Sequence, residues 1–371
     1  MTPEVPPLYR FAHEAMTTVF EVVVAGQEET YARQASAAVF HEIDRLEGVL
    51  SRFQPVSDIA QINRLRPGES LRVCLETFEC LQLAAQVQAD TGGAFDVTVG
   101  PLMNLMRDAK GNWQRVTDAE LAAARAVIGM DRLALNPQDF TVTIRPATGA
   151  DPTVGVEVDL GAIGKGYALD KAAEILADWE IPDVLLHSGT SSVLALGGVG
   201  RVHDPAGIES ERRLGEPAYK GGGVSSGDQR GWPLGVAGDW SREAGFDSVL
   251  LSGAALSGSG TEVKGQHVLD PRTGRPASNH LAAWAIAPSA ALSDALSTAF
   301  MVMTTAEVNA YCRSHVETAA LVIEKRRGLL RMLGDKATAT PAFAARAVPA
   351  GEKSALPLAQ EAASDGEASD R

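Results

Sequence analysis

A glycine-rich turn in the middle of the chain constrains the fold more than any other feature. Residues 154–159 form an apolar, strand-like run, three glycines follow within 161–166, and residues 167–179 have a helical pattern. Closely spaced glycines let the backbone approach another group, and the amides at a helix start point outward. Lys165 adds a positive charge to the turn. The segment therefore predicts a strand, a tight turn and a helix that together can hold an anion.

Two common phosphate-binding motifs do not fit this turn. A dinucleotide-binding fingerprint has the pattern GxGxxG, whereas the glycines here lie at 161, 164 and 166. A P-loop has the pattern GxxxxGK followed by Ser or Thr, but only two residues separate Gly161 from Gly164, and Gly166 replaces the hydroxyl residue. Taken alone, the turn is equally compatible with an ordinary connection that carries a surface lysine.

Hydrophobic periodicity predicts helices and strands on both sides of the turn. Apolar residues at 39, 43, 46 and 50 fall on one face of a helix over 31–50. Further helices are predicted over 71–90, 117–128, 292–303 and 306–315. Strands are predicted over 17–24, 140–145, 184–187, 192–196, 234–237, 248–251, 281–286 and 318–323. This mixture predicts an α/β (α+β) fold, with a loop-rich stretch over 52–66.

The chain is expected to contain one large folded domain over residues 16–334. Residues 1–15 are expected to be a flexible N-terminal arm, and the polar, glycine-rich stretch of about 201–230 a surface insertion. Residues 335–371 are rich in Ala, Pro, Ser, Glu and Asp, so they cannot bury enough apolar surface to fold. We expect them to form a disordered acidic tail.

The charge balance excludes a general nucleic-acid binder. Of the 371 residues, 33 are Lys or Arg and 47 are Asp or Glu, so the net charge is 33 − 47 = −14. Contacts to a phosphate backbone or an anionic membrane require clustered cations. One local phosphate site remains compatible with this balance, because backbone amides and a single lysine can build it.

A cytoplasmic location is expected from three observations. The N-terminus has neither a basic segment nor an apolar segment of the kind that forms a signal peptide. No apolar run approaches the roughly 20 residues that span a bilayer. The three cysteines, Cys74, Cys80 and Cys312, lack CxxC spacing, which argues against a disulfide framework and favours a reducing compartment.

Two other segments carry groups suited to catalysis. His267 begins the sequence HVLDPRTG, which is typical of a rigid hairpin that presents an imidazole, although an ordinary Pro-Gly turn is an open alternative. Asp294 and Thr298 are four residues apart and share a face of a predicted helix. A carboxylate and a hydroxyl are hard oxygen ligands for Mg²⁺. The alternative is that Asp294 only caps the helix.

Together and in this order, these segments resemble the ApbE family of FAD:protein FMN transferases. The resemblance covers about residues 16–334, and its two most specific segments are DLGxxxKGY and HxxDPxTG. The matching stretches are Met16-Thr-Thr, LSRFQPVSDI from Leu50, Gly93-Ala-Phe-Asp, VDLGAIGKGYALD from Val158, Leu256-Ser-Gly, HVLDPRTG from His267 and Asp294-Ala-Leu-Ser-Thr.

The resemblance implies a two-lobed single domain that holds FAD in a groove between the lobes. It implies a Mg²⁺-dependent transfer of FMN from FAD to a Thr or Ser hydroxyl of a target flavoprotein, with release of AMP. The expected FAD contacts are Met16, Phe53, Ala94, Phe95, Asp96, Asp159, Lys165 and Leu269. The expected Mg²⁺ ligands are Asp294, Thr298 and the carbonyl of Ala162, and the expected general base is His267.

The chain departs from the family pattern at several positions. Residues 187–192, HSGTSS, replace a usual pair of glycines, Phe53 stands where Tyr is common, and Ser297 replaces an acid found in some members.

Two further functions remain open for the same set of site residues. One is a Mg²⁺-dependent FAD pyrophosphatase that forms FMN and AMP with water as the acceptor, and the other is a non-catalytic FAD-binding protein.

Overall fold

An eight-stranded sheet lies at the centre of the computed structural model, which describes residues 6–108, 113–147, 151, 153–199, 231–235, 248–261, 268–325 and 330–334. Its strands, in spatial order, are β1 (Leu8–Ala15), β2 (Thr18–Ala25), β6 (Val184–Ser188), β7 (Ser192–Leu196), β10 (Ala254–Gly260), β13 (His280–Ala287), β14 (Ala319–Glu324) and β15 (Leu330–Leu333). Every neighbouring pair is antiparallel. The expected mixture of helix and sheet is confirmed, and this sheet has no parallel pair among its described strands.

Helices cover one face of this sheet. The helices of the described ranges are α1 (Glu29–Leu50), α2 (Asp58–Ile62), α3 (Leu75–Asp90), α4 (Gly100–Met106), α5 (Asp118–Arg125), α6 (Gly164–Asp178), α7 (Ala290–Val302) and α8 (Thr305–Ser314). Of these, α1, α6, α7 and α8 lie against the sheet. Alternate residues of the strands, such as Val22, Leu186 and Ala285, pack with the apolar faces of α1, α6 and α7 in the largest buried cluster. The central sheet and α7 therefore share one core.

The opposite face of the sheet packs against a β-hairpin. The hairpin consists of β8 (Trp232–Gly235) and β9 (Ser248–Leu251), paired antiparallel. Trp232 and Leu251 are fully buried against sheet residues such as Leu185 and Trp284. Both faces of the central strands are thus covered, which explains why all five residues of β6 are buried, with no alternation between buried and exposed positions.

A smaller sheet and a separate apolar cluster build the remainder of the described chain. Strands β3 (Ser70–Arg72), β4 (Leu133–Asn136) and β5 (Thr141–Ile144) pair in the order β3-β5-β4. Strands β11 (Leu269–Asp270) and β12 (Arg275–Pro276) form a short hairpin. The apolar cluster consists of Leu102, Met106, Leu121 and Leu269, and it joins α4, α5 and this hairpin.

The expected flexible arm over 1–15 is wrong for its second half. Residues Leu8–Ala15 form strand β1, which pairs along its whole length with β2. Tyr9 and Phe11 are two residues apart, so they share a face of the strand, and both pack against the core, which favours an ordered strand. Residues 1–5 lie outside the described residues, as do the expected insertion over 201–230 and the expected tail over 335–371.

Three local predictions were also wrong. Residues 154–159 form no strand, because Asn63 and other groups outside a ladder take up the backbone hydrogen bonds of this segment, including both bonds of Val158. Helix α2 forms inside the stretch expected to be a loop, and Ser57 caps it by accepting from the Ala60 amide. Residues 71–74 precede helix α3 instead of starting it.

Within the described ranges, no helix combines the length and apolar character needed to cross a membrane.

A buried arginine connects three loops next to the small sheet. Arg132 is 3% exposed, and its guanidinium donates to the carbonyls of Val127, Arg145 and Val154 at 2.7–2.8 Å. Substitution of Arg132 by Met would leave three acceptors without these donors. We expect it to lower the free energy of unfolding by at least about 2 kcal/mol, measured by urea denaturation.

The same substitution at Arg145 is the matched control. Its side chain donates to the carbonyl of Asp131 at an exposed position. We expect the free energy of unfolding to change by no more than about 0.5 kcal/mol in that variant. Equal urea midpoints for the two variants would contradict the structural role assigned to Arg132.

Candidate active site

Helices α6 and α7 meet near their N-termini without a side chain between them. A Cβ atom on Gly166 would lie 2.5 Å from the carbonyl carbon of Ala290 and 2.8 Å from the Cα of Ala291, so only glycine fits. One turn further along α6, the Asp170 carboxylate accepts from the amides of Ala290 and Ala291 at 2.7 and 2.9 Å. Burial raises the pKa of Asp170 to about 6. The start of α7 is therefore held directly by α6.

This contact brings Asp294 to the N-terminus of α6. Asp294 lies in the second turn of α7 and is 4% exposed, and Ser289 caps that helix, so Asp294 does not cap its own helix. Its Oδ2 accepts from the Gly166 amide at 3.2 Å, and its Oδ1 accepts from Ser192 Oγ at 3.1 Å. The carboxylate is fixed by groups from α6 and β7.

Lys165 places a positive charge beside this carboxylate. Its Nζ lies 3.4 Å from Asp294 Oδ2 and donates to the Gly161 carbonyl at 2.8 Å, and its side chain is 20% exposed. The Gly161 amide in turn donates to Asp159 Oδ1 at 2.8 Å, which fixes the turn. Helix α6 begins at Gly164, inside the expected turn, so Lys165 lies in its first turn. A cation and a helix N-terminus at one point favour a bound anion.

Three hydroxyl groups lie close together one turn further along α7. Ser259 Oγ on β10 lies 2.9 Å from Ser297 Oγ and 3.4 Å from Thr298 Oγ1. Thr298 and Asp294 thus share one face of the helix, as their spacing predicts. Their side chains and the Ala162 carbonyl are hard oxygen donors of the kind that Mg²⁺ prefers.

The donor set suits Mg²⁺ better than a metal with an all-protein ligand cage. In the part of the chain that the structure describes, no three His, Cys, Asp or Glu side chains cluster as a metal centre. The expected ligands contain one carboxylate, one hydroxyl and one peptide carbonyl. Mg²⁺ usually takes only one or two carboxylates from the protein and completes its shell with phosphate oxygens and water. The residues present therefore fit Mg²⁺ together with a phosphate ligand.

The Gly-Ala-Phe-Asp segment is joined to the glycine-rich turn by a backbone hydrogen bond. The Asp159 amide donates to the Val97 carbonyl at 2.7 Å. Ala94 and Phe95 are buried, and Asp96 Oδ1 accepts from the amide and the hydroxyl of Thr98 at 2.7 and 2.6 Å. Burial raises the pKa of the Asp96 carboxyl above its usual range. The two motifs thus lie side by side.

Phe53 offers an open aromatic surface near this junction. Its side chain is 78% exposed, and the Arg52 guanidinium lies 4.8 Å from the centre of its ring. Arg52 also lies 3.4 Å from Asp159 and 3.3 Å from Glu157. An exposed ring tethered to the turn is suited to stacking against a planar ligand.

Met16 lies in a strained turn between β1 and β2. Met16 and Thr17 have φ angles of 48° and 60°, which are unfavourable for residues other than glycine. The Met16 amide donates to Glu47 Oε2 at 2.9 Å. Thr18 packs so closely over Gly189, in the turn between β6 and β7, that a Cβ there would overlap its hydroxyl. The turn therefore adjoins the end of the sheet at which Ser192 contacts Asp294.

The DPRTG segment lies against the Gly92–Gly93 turn. Arg272 donates to Asp270 Oδ1 at 2.9 and 3.1 Å and to Glu307 at 2.8 Å, and a Cβ on Gly93 would touch its side chain. Leu269, an expected FAD contact, instead points its side chain into the cluster with Leu102. Leu269 is 6% exposed in this cluster. His267 lies outside the described residues.

Sequence reasoning missed three parts of this site. The Asp170 cap and the Gly166 contact depend on a partner helix more than 100 residues away. Ser192 was visible only as a polar residue at the start of the apolar run SVLAL. His187, the first residue of the HSGTSS segment, is buried on the opposite face of the sheet, and burial lowers its pKa to about 4.

The contact at Gly166 is testable by adding one methyl group. Gly166→Ala should force α6 and α7 apart and lower the free energy of unfolding by about 1–3 kcal/mol. Gly164→Ala is the matched control, because its Cβ would meet only Leu160 Cβ at an ordinary 3.7 Å. We expect Gly164→Ala to have at least the wild-type free energy of unfolding, measured by urea denaturation. A Gly166→Ala variant with the wild-type free energy of unfolding would contradict the close packing of α6 and α7.

Comparison with known proteins identifies the family. The model of the ApbE family matches residues 16–322. Among curated relatives, an FAD:protein FMN transferase of Vibrio cholerae is 28% identical over 269 residues, which cover 71% of this chain and 72% of the relative. Another, from Klebsiella pneumoniae, is 25% identical over 327 residues, which cover 85% of this chain and 84% of the relative.

Solved structures show the same fold. The apo form of the flavinyl transferase ApbE of Pseudomonas stutzeri matches with a TM-score of 0.70 at 22% identity, over 92% of this chain and 100% of that chain. The ApbE protein of Thermotoga maritima matches with a TM-score of 0.66 at 24% identity, over 88% of this chain and 97% of that chain. Because the family model matches residues 16–322, most of its length, and the glycine-rich turn and the Lys165–Asp294 pair lie within that match, the chain belongs to the ApbE family.

Proposed function

We propose that this protein transfers FMN from FAD to a Thr or Ser hydroxyl of a target flavoprotein, in a Mg²⁺-dependent reaction that releases AMP. The observation that carries the proposal is the meeting of Lys165 and buried Asp294 at the N-terminus of α6. The relatives named FAD:protein FMN transferase support the choice of FAD as substrate and of a protein as acceptor.

The reaction breaks one phosphoanhydride bond and forms one phosphoester bond. The acceptor oxygen attacks the phosphorus of the FMN half of FAD, and AMP leaves with the bridging oxygen. The acceptor hydroxyl must lose its proton, and we propose His267 as the base that takes it. A neutral imidazole is suited to that step near pH 7.

Lys165 is proposed to bind the pyrophosphate of FAD. Its ammonium is held by the Gly161 carbonyl and is partly open to solvent, so an entering phosphate can reach it. A positive charge fixed at this position opposes the negative charge that the phosphates carry in the transition state. The positive end of the α6 helix dipole would contribute in the same direction.

Asp294, Thr298 and the Ala162 carbonyl are proposed to hold Mg²⁺. When bound there, the ion would neutralise charge on the pyrophosphate and its leaving group. Asp294 is prepared for this role, because the Gly166 amide and the Ser192 hydroxyl already fix the plane of its carboxylate. Thr298 projects from the same helix face.

The remaining proposed FAD contacts fall on adjoining segments. The exposed ring of Phe53 would stack on a planar part of FAD, and Met16 would present its side chain from the strained turn. Ala94, Phe95, Asp96 and Asp159 lie on the two segments joined through Val97, and Leu269 would contribute its backbone.

The reaction is tested by incubating the protein with FAD and Mg²⁺, with and without a peptide that carries a Thr flavinylation site. We expect AMP release and covalent flavin on the peptide, read by chromatography and mass spectrometry. AMP and free FMN in equal amounts with and without peptide would instead support the pyrophosphatase. Bound but intact FAD in both samples, also with a full-length acceptor flavoprotein, would contradict catalysis.

The metal assignment is tested by Asp294→Asn, which keeps the shape of the side chain and removes its charge. We expect Mg²⁺-dependent AMP release to fall by at least about 100-fold, while the far-UV circular dichroism stays unchanged. Asp118→Asn is the matched control, because the Asp118 side chain is 90% exposed on α5. Wild-type Mg²⁺-dependent activity in Asp294→Asn would exclude Asp294 as a ligand.

A further inference from the structure

Three serines form a row across adjacent strands beneath Asp294. In the strand register, Ser188 of β6 lies opposite Ser192 of β7, and Ser192 lies opposite Ser257 of β10. Directly paired residues project from the same face of a sheet. All three side chains are fully buried on the face that packs against α6 and α7. A row of buried hydroxyls is costly unless each one is hydrogen-bonded.

Only the central hydroxyl of this row has a hydrogen-bond partner in the structure. Ser192 Oγ donates to Asp294 Oδ1 at 3.1 Å. Ser188 Oγ and Ser257 Oγ are buried and have no hydrogen-bond partner. The three serines therefore match in type, burial and sheet face, and they differ in one respect, which is contact with Asp294.

The Ser192 contact completes the orientation of the Asp294 carboxylate. The Gly166 amide binds Oδ2, so without Ser192 the group would be held at one oxygen only. A carboxylate oxygen has two lone pairs, so Oδ1 keeps one for a further ligand after accepting from Ser192. Two donors on different elements thus fix the carboxylate plane and leave Oδ1 able to bind a cation.

We infer that Ser192 is a positioning residue for Asp294 and, through it, sets the affinity of the site for Mg²⁺. The inference rests on the proposed function, since it takes Asp294 as a Mg²⁺ ligand. Partners that orient a metal ligand typically change metal affinity by about 10–100-fold when they are removed.

The test compares Ser192→Ala with Ser188→Ala and Ser257→Ala. Calorimetric titration of MgCl₂ into each protein gives a Kd for the metal alone, and the Mg²⁺ dependence of AMP release at saturating FAD gives an independent constant. We expect Ser192→Ala to raise both constants by about tenfold or more, with kcat recovering at high Mg²⁺. The two controls should keep wild-type constants, because they remove hydroxyls that have no hydrogen-bond partner.

A conservative variant separates positioning from packing. Ser192→Thr keeps a hydroxyl and should bind Mg²⁺ more tightly than Ser192→Ala. Wild-type Mg²⁺ constants in Ser192→Ala, or equal losses in Ser192→Ala and Ser188→Ala, would overturn the inference while leaving the proposed function intact. If the wild-type protein neither binds Mg²⁺ nor depends on it for AMP release, the metal assignment fails and the inference fails with it.

Discussion

Helix α6 packs against helix α7 so closely at Gly166 that no side chain fits between them. The two helices then satisfy each other's N-termini. Asp170 of α6 accepts from the first amides of α7, and Asp294 of α7 accepts from the Gly166 amide of α6. Two helix N-termini brought together carry like partial charges, and these two carboxylates offset that repulsion. Lys165, Asp294 and Thr298 take their positions from this arrangement.

The same arrangement explains why the site combines opposite charges. Lys165 and Asp294 are close but weakly paired, at 3.4 Å, and the lysine makes its shorter contact with the Gly161 carbonyl. In the proposed reaction, the pyrophosphate would bind Lys165 and its Mg²⁺ would bind Asp294. A tight ion pair would have to be broken before either could bind. The loose pair in this protein keeps both groups in place without that cost.

Local patterns predicted the elements with a clear period. The apolar faces of α1 and α7 and the β-branched run of β2 were correctly predicted within a few residues. Strand β10 was missed because its sequence, AALSGSG, is small and polar, and only its pairing with β7 and β13 makes it a strand. The opposite error at 154–159 arose because an apolar run forms a strand only when a neighbouring strand accepts its hydrogen bonds.

The candidate site also combines features that could be predicted from the sequence with features that could not. The spacing of Asp294 and Thr298 and the charge of Lys165 could be predicted from the sequence, since both are local features. The bond from Ser192 to Asp294 spans 102 residues, and the Gly166 contact depends on how two helices pack, so neither has a local signal. The side chain of Leu269 lies in an apolar cluster with α4 and α5, and that packing likewise has no local signal in the sequence.

A crystal structure of the protein with FAD and Mn²⁺, which scatters anomalously in place of Mg²⁺, tests the account most directly. The account predicts one anomalous peak within coordination distance of the Asp294 carboxylate and the Thr298 hydroxyl, with the FAD pyrophosphate contacting Lys165. A metal peak away from Asp294, or a pyrophosphate that does not reach the N-terminus of α6, would contradict it.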